Sequence, residues 1–437
     1  MPNQSFNPRS LVQKWNWNSI KSSNESLSIW NGSFATVSLS IVNGYVAMYL
    51  LDALHATDSE MGLLNSLPSL VNLFAMLFAA ITIGRARSKR IFCSVSTSIS
   101  RSIFILIAIL PWLAVSHPAL WVVWFVALIR VPQSFGDLSW QAFISDLIPP
   151  ERRSPFFSER NRITTIVGLF ATLLSGLLLQ QFDKHLKWPY QIAFLTTAAF
   201  SVAEVWFLMM HHERIAPPKR AVPLLVKGIR RFRTDTLRRV LADKQFLIVG
   251  GGLLFFNFGW QLAWPLFNIY QISEAHAPAL WLGLFTVANQ LVQILTYRWW
   301  GRMADRFGNG RMMAFAAVGM ALTPALTILS PNMWYLFLIN FVTGIPNAGT
   351  TLLLFTYLLE VCPEAERTTY IAYYNVALSV IGFMAPEIGI WFLGHWGMTA
   401  GMLISTGLRL VAGGVFWVTS AMIKRRTPWS TSSSVQI

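Results

Sequence analysis

The sequence predicts an all-α integral membrane protein, with twelve transmembrane helices in two six-helix bundles related by an internal pseudo-twofold repeat. Three observations predict it. The 437 residues are 54% hydrophobic and only 12% charged, where a soluble globular chain carries about 25% charged residues. The apolar residues come in blocks of about 20, enough for a helix to cross ~30 Å of hydrocarbon. The second half of the chain repeats rare residues of the first at a fixed offset. Within lipid the backbone must satisfy its own hydrogen bonds, so long apolar runs become helices. A membrane β-barrel needs short alternating segments, and these blocks do not alternate.

Residues 1–28 are polar and read as an N-terminal tail. They contain no apolar core of a cleavable leader, so the first span is expected to act as its own insertion signal. Six spans follow at about 29–51, 60–83, 91–113, 118–148, 161–182 and 190–210, forming a first bundle over 29–210. Residues 211–244 are a basic linker, read either as a short amphipathic helix on the inner leaflet or as a solvated connection. Spans at about 245–270, 279–300, 311–330, 332–360, 371–394 and 397–423 form a second bundle over 245–423, and 424–437 is a C-terminal tail.

The net charge of +15 is distributed asymmetrically. Of 34 Lys and Arg, two (Lys184 and Lys187) fall in loops on one side, three (Arg101, Arg130 and Arg409) fall within spans, and the other 29 share the side of the two termini. That asymmetry places the termini in the cytoplasm and the chain in the plasma (inner) membrane as a multi-pass protein. The basic surface then answers to anionic lipid and not to nucleic acid. The two cysteines, Cys93 and Cys362, fall near the ends of spans on that side, where a disulfide is not expected. No Cys/His spacing suggests a metal site, no phosphate loop suggests an ATPase, and no Ser/His/Asp set suggests an enzyme. No cofactor is expected.

Shifting the first half by 214 residues aligns Pro132 and Gln133 with Pro346 and Asn347, Asp146 with Glu360, and Pro149, Arg153, Asn161 and Gly168 with Pro363, Arg367, Asn375 and Gly382. "DLIPPERR" and "EVCPEAER" therefore share the pattern acid-x-x-Pro-x-x-x-Arg. Parallel repeats of this kind are a transporter architecture. Between the eighth and ninth spans stands "GRMADRFGNGR", Gly301 to Arg311; its counterpart between the second and third, "GRARSKR", is shorter and lacks an acid.

On these residues the chain resembles the major facilitator superfamily. Gly301, Asp305, Arg306, Gly308 and Arg311 fill that family's loop signature. "RVPQSFG" matches its fourth-span pattern at Arg130, Gln133 and Gly136, with Ser134 in place of a glycine. The resemblance covers about 29 to 423, with one departure: the better loop signature lies in the second half, where the family usually keeps it in the first. The resemblance implies a cytoplasmic gate of Gly301, Arg302, Asp305, Arg306, Asp146, Arg153, Glu360 and Arg367. In it Asp305 approaches the start of the fifth span near Arg160, and Arg302 and Arg306 pair with Asp146.

Charges within the membrane are costly and mark function. Arg130, Gln133 and Asp137 lie at i, i+3 and i+7 on one helical face. Asp137, Glu204 and Glu387, in that order, are the candidate proton carriers, with Arg130 as the first one's partner; the family's peripheral sixth span lowers Glu204. In the seventh span Asn257, Gln261, Trp264 and Asn268 fall at i, i+4, i+7 and i+11, one stripe, with Trp260 beside Trp264. The resemblance places spans 1, 4, 7 and 10 around a central cavity, to which Thr36, Ser40, Asn43, Trp140, Asn340 and Asn347 would also contribute.

What the resemblance implies is a secondary transporter working by alternating access, with a small-molecule substrate, protons and membrane lipid as its partners and a monomer as its unit. The aromatic interior favours efflux of amphiphilic or drug-like solutes. Uptake of a sugar or other polar nutrient is the alternative, and a non-transporting sensor ranks below both.

Overall fold

The computed structural model describes residues 24–83, 88–113, 115–148, 150–212, 234–363 and 366–422. Span 1 is Asn24–Met48, extended by a π-turn over Tyr49–Ala53. Spans 2 to 6 are Asp58–Ile83, Lys89–Ile109, Pro118–Leu147, Pro150–Leu179 and Trp188–Met209. A short helix, Thr234–Ala242, falls in the expected linker and precedes the second half. Span 7 runs Lys244–Leu262, breaks, and resumes as Trp264–Ile269 with a π-turn Tyr270–Glu274. Spans 8 to 10 are Ala279–Phe307, Asn309–Thr327 and Met333–Val361. Spans 11 and 12 form one run, Arg367–Met422, folded at Gly397, whose φ of 80° is not helical.

Among the described residues nine helical stretches are long and apolar enough to cross a membrane, and the last, Tyr370–Ala421, is 52 residues and makes two passes. Four of the helices begin where a side chain supplies a missing acceptor. Ser88 Oγ accepts from the Ile91 amide at 3.2 Å, Asp243 from the Phe246 amide at 3.2 Å, and Asn332 from the Trp334 amide at 2.9 Å. Thr57 and Glu60 cap each other reciprocally ahead of span 2, the Thr57 amide donating to Glu60 at 2.8 Å and the Glu60 amide to Thr57 Oγ1 at 3.3 Å.

Packing repeats as the sequence does. In the first half span 1 packs on spans 5 and 6, span 4 on spans 2 and 3, and span 3 on span 6; in the second half span 10 packs on spans 8 and 9, and spans 7 and 9 on the run of spans 11 and 12. The halves meet through spans 2 and 11 and through spans 5 and 8. These contacts lie toward the face opposite the basic loops. Ser66 Oγ donates to Glu387 Oε1 at 2.6 Å, and Gly176 of span 5 lies against the backbone of Ala279 and Leu280 at the start of span 8.

Candidate functional site

Two cavities gather intramembrane polar groups. The first, about 340 Å³, lies inside the first half among spans 1, 3, 4, 5 and 6. Asp137 is exposed on its wall, and Gln133 and Trp140 share that wall from the same helix. No ion pair joins Arg130 to Asp137. The close pair is instead Arg101 with Glu204: Nε donates to Oε2 at 3.0 Å and Nη2 to Oε1 at 3.1 Å, and both residues are buried. Two mid-span charges from spans 3 and 6 thus neutralise each other in bidentate geometry, which leaves Asp137 as the exposed carboxylate of this cavity. Arg160 of span 5 stacks on Trp140, its guanidinium carbon 4.4 Å from the ring centre.

The second cavity, about 490 Å³, lies among spans 7, 8, 9 and 10, with Asn65 of span 2 at its edge. An amide network forms its wall. Asn289 of span 8 donates to the Asn340 carbonyl at 3.0 Å and accepts from Asn347 at 2.9 Å and from Gln293 at 2.6 Å. Opposite stand Trp260, Trp264 and Asn268 of span 7, the two indoles meeting edge to face with centroids 6.1 Å apart. None of the lining residues is charged. Amides offer donors and acceptors to hydroxyl and carbonyl groups, and indoles offer broad apolar faces.

The span 7 stripe is divided. Pro265 has no N–H to continue the helix, and the chain breaks at Ala263. Beyond the break Trp264 and Asn268 enter the cavity wall. Before it, Asn257 is buried and donates to its own Leu253 carbonyl at 2.9 Å and to Tyr374 of span 11 at 3.4 Å. Gln261 lies against Gly382 of span 11. Arg409 of span 12, fully buried, donates to the Gly259 and Trp260 carbonyls beside the break, at 3.2 and 3.3 Å, and to the Met320 carbonyl at 2.9 Å. This mid-span cation therefore stitches span 7 to span 9. Asn43 is exposed on span 1 and belongs to neither cavity wall. Sequence reasoning missed Asn289 and Gln293. Their i, i+4 spacing within an apolar run was the available signal.

The Major Facilitator Superfamily description matches residues 30–270 and 249–436. The chain belongs to this superfamily. Over 107 residues it is 31% identical to the multidrug resistance protein MdtG of Dickeya zeae (strain Ech586), covering 22% of this chain and 26% of that protein. It is 24% identical over 141 residues to the uncharacterized MFS-type transporter YqjV of Bacillus subtilis (strain 168), covering 32% and 34%. Over 142 residues it is 25% identical to the fatty acid resistance protein FarB of Neisseria gonorrhoeae, covering 32% and 27%. The matches thus span about a quarter to a third of these relatives' lengths. Among solved structures, the nucleoside transporter NupG shares the fold with a TM-score of 0.70 at 14% identity, over 91% of this chain and 99% of that one. The D-xylose-proton symporter does so with a TM-score of 0.63 at 15% identity, over 90% and 96%.

In this superfamily member the loop signature is mostly helix. Gly301, Arg302, Asp305 and Arg306 lie within span 8, and the chain turns only at Gly308. Asp305, Arg302 and Arg306 are exposed, Arg306 lying over the Phe307 ring. Among the described residues Asp305 has no hydrogen-bond or ion-pair partner, and Arg160, which lies inside span 5 and not at its start, is engaged by its own half: its Nε donates to the Ser28 carbonyl at 3.3 Å. Glu360 accepts from Asn309 Nδ2 at 3.0 Å. The side chains of Asp146, Arg153 and Arg367, and residues 84–87 of the shorter loop, lie outside the described residues.

Proposed function

We propose that the chain exports amphiphilic, drug-like solutes across the plasma membrane by alternating access, with both termini cytoplasmic and a proton taken by Asp137 as the coupling ion. The observation that carries this reading is the second cavity, whose wall joins an uncharged amide network to a pair of indoles. Such a wall suits a neutral solute with one polar and one apolar face. The multidrug and fatty acid resistance proteins among its relatives support efflux. Uptake of a sugar or other polar nutrient is the second reading, favoured by the amides around Asn289.

The test is transport by purified protein in liposomes under an imposed pH gradient, with a labelled neutral amphiphile and a labelled sugar. The expected outcome is amphiphile movement against the proton gradient, reduced at least tenfold by Asp137→Asn. Sugar movement with the gradient, and none of the amphiphile, would replace export by uptake. Undiminished gradient dependence in Asp137→Asn would remove that residue from the coupling.

A further inference from the structure

The first cavity holds donors that the transport reading leaves unused. Arg101 is 7% exposed, two of its nitrogens are committed to Glu204, and Nη1 has no hydrogen-bond partner among the described residues. The Trp140 indole nitrogen is likewise buried without a partner. Both residues form the wall of one cavity, and Arg160 joins them there. Buried donors without acceptors are expensive, and a site that keeps several together is suited to an acceptor brought from outside.

Charge selects the acceptor. Arg101 is paired with Glu204, and Asp137 is exposed on the same wall with no ion pair to an arginine among the described residues. Arg160 is the remaining cation of the cavity, and no acid lies within ion-pair distance of it among the described residues. Its guanidinium is also placed with care. It lies over the Trp140 ring and against Gly32 of span 1, where a Cβ would stand 2.6 Å from Nη2. The glycine makes room for that approach, so the guanidinium packs between span 1 and the indole, with Nε donating to the Ser28 carbonyl. A planar, pre-oriented guanidinium matches a carboxylate better than an ammonium would.

We propose that this cavity is an anion subsite, in which Arg160, Arg101 Nη1 and the Trp140 indole N–H take the headgroup of an amphiphilic monoanion. It rests on the reading of an amphiphile carrier only for the ligand's apolar tail, which follows Ala35, Leu39 and Leu208 along the cavity wall. The headgroup chemistry is a carboxylate, or the phosphodiester of an anionic lipid offering the same single charge.

The experiment measures radiolabelled octanoate bound to the full chain in phosphatidylcholine nanodiscs, corrected with empty discs, with unlabelled octanoate and octanamide as competitors. A charge-assisted site prefers octanoate by about tenfold or more. Arg160→Gln is expected to erase that preference, Arg160→Lys to keep part of it, and Trp140→Phe, which leaves a ring beneath the guanidinium, to weaken octanoate several-fold. Repeating the measurement with phosphatidylglycerol in the discs separates the sources. Exclusion of octanoate assigns the site to the lipid phosphodiester, and retention assigns it to the soluble carboxylate. Equal competition by octanamide in the wild type, or an intact preference in Arg160→Gln, overturns the proposal. If Arg160→Gln does not assemble, unchanged octanoate affinity in Trp140→Phe does so. Absence of neutral-amphiphile transport alongside an intact octanoate preference would sink the export reading alone.

Discussion

At the scale of single residues, the buried pair of Arg101 and Glu204 is a costly feature. Bringing two charges into a low-dielectric interior costs several kcal/mol each, and their attraction returns this only while both are present. Removing one partner strands the other. Glu204→Leu alone is expected to lower thermal stability in detergent by about 3–5 kcal/mol. The double variant Arg101→Met with Glu204→Leu restores most of the loss, because nothing charged then remains buried. Equal losses in single and double variants would mean that packing, not charge, is what the pair supplies. The sequence alone identified both residues as mid-span charges in need of partners. It could not say that they were partners of each other, since that depends on how spans 3 and 6 are rotated. The i, i+7 spacing of Arg130 and Asp137 offered a local pairing, and in the structure the two lie without a close ion pair.

At the scale of the element, helices were legible and their interruptions less so. Apolar block length and the 214-residue offset identify twelve passes because both follow from membrane thickness and duplication, which leave long-range marks in composition. The fate of the span 7 stripe was decided by one backbone fact, the missing N–H of Pro265, which separates Asn257 and Gln261 from Trp264 and Asn268. The loop signature shows the same limit. Two of its glycines read alike in sequence, yet Gly301 lies within a helix with nothing within 4 Å of a would-be Cβ, and Gly308 turns the chain at φ 90°, ψ 149°. Only glycine occupies that region without strain. Gly308→Ala should therefore cost about 1–3 kcal/mol of stability, whereas Gly301→Ala should leave thermal unfolding unchanged. A larger loss at Gly301 than at Gly308 would show that close helix approach, not the turn, is what the signature protects.

At the scale of the whole molecule, the two faces carry opposite assignments. Toward the face away from the basic loops the halves are joined, Ser66 of span 2 donating to Glu387 of span 11. On the basic face Asp305 is exposed and unpartnered among the described residues, and Arg160 is held within its own half. We infer that Asp305 makes its contact with span 5 near Arg160 only in the alternative form, in which the basic face closes. The two groups then bias one equilibrium in opposite directions, because a contact present in one form stabilises that form alone. A hydrogen bond to a charged group contributes about 1.5–3 kcal/mol, so Glu387→Ala should shift the population at least several-fold away from the form described here. An exposed ion pair contributes about 0–1 kcal/mol, so Asp305→Asn should shift it at most about fivefold, and toward this form. Both shifts can be read from the rate at which an impermeant maleimide labels Gln141→Cys, whose side chain is exposed in the first cavity. Glu387→Ala is expected to slow labelling from the basic face, and Asp305→Asn to maintain or hasten it. Slower labelling in both variants would mean that the two residues act in the same form, and the loop signature would then not be a latch for the closed basic face.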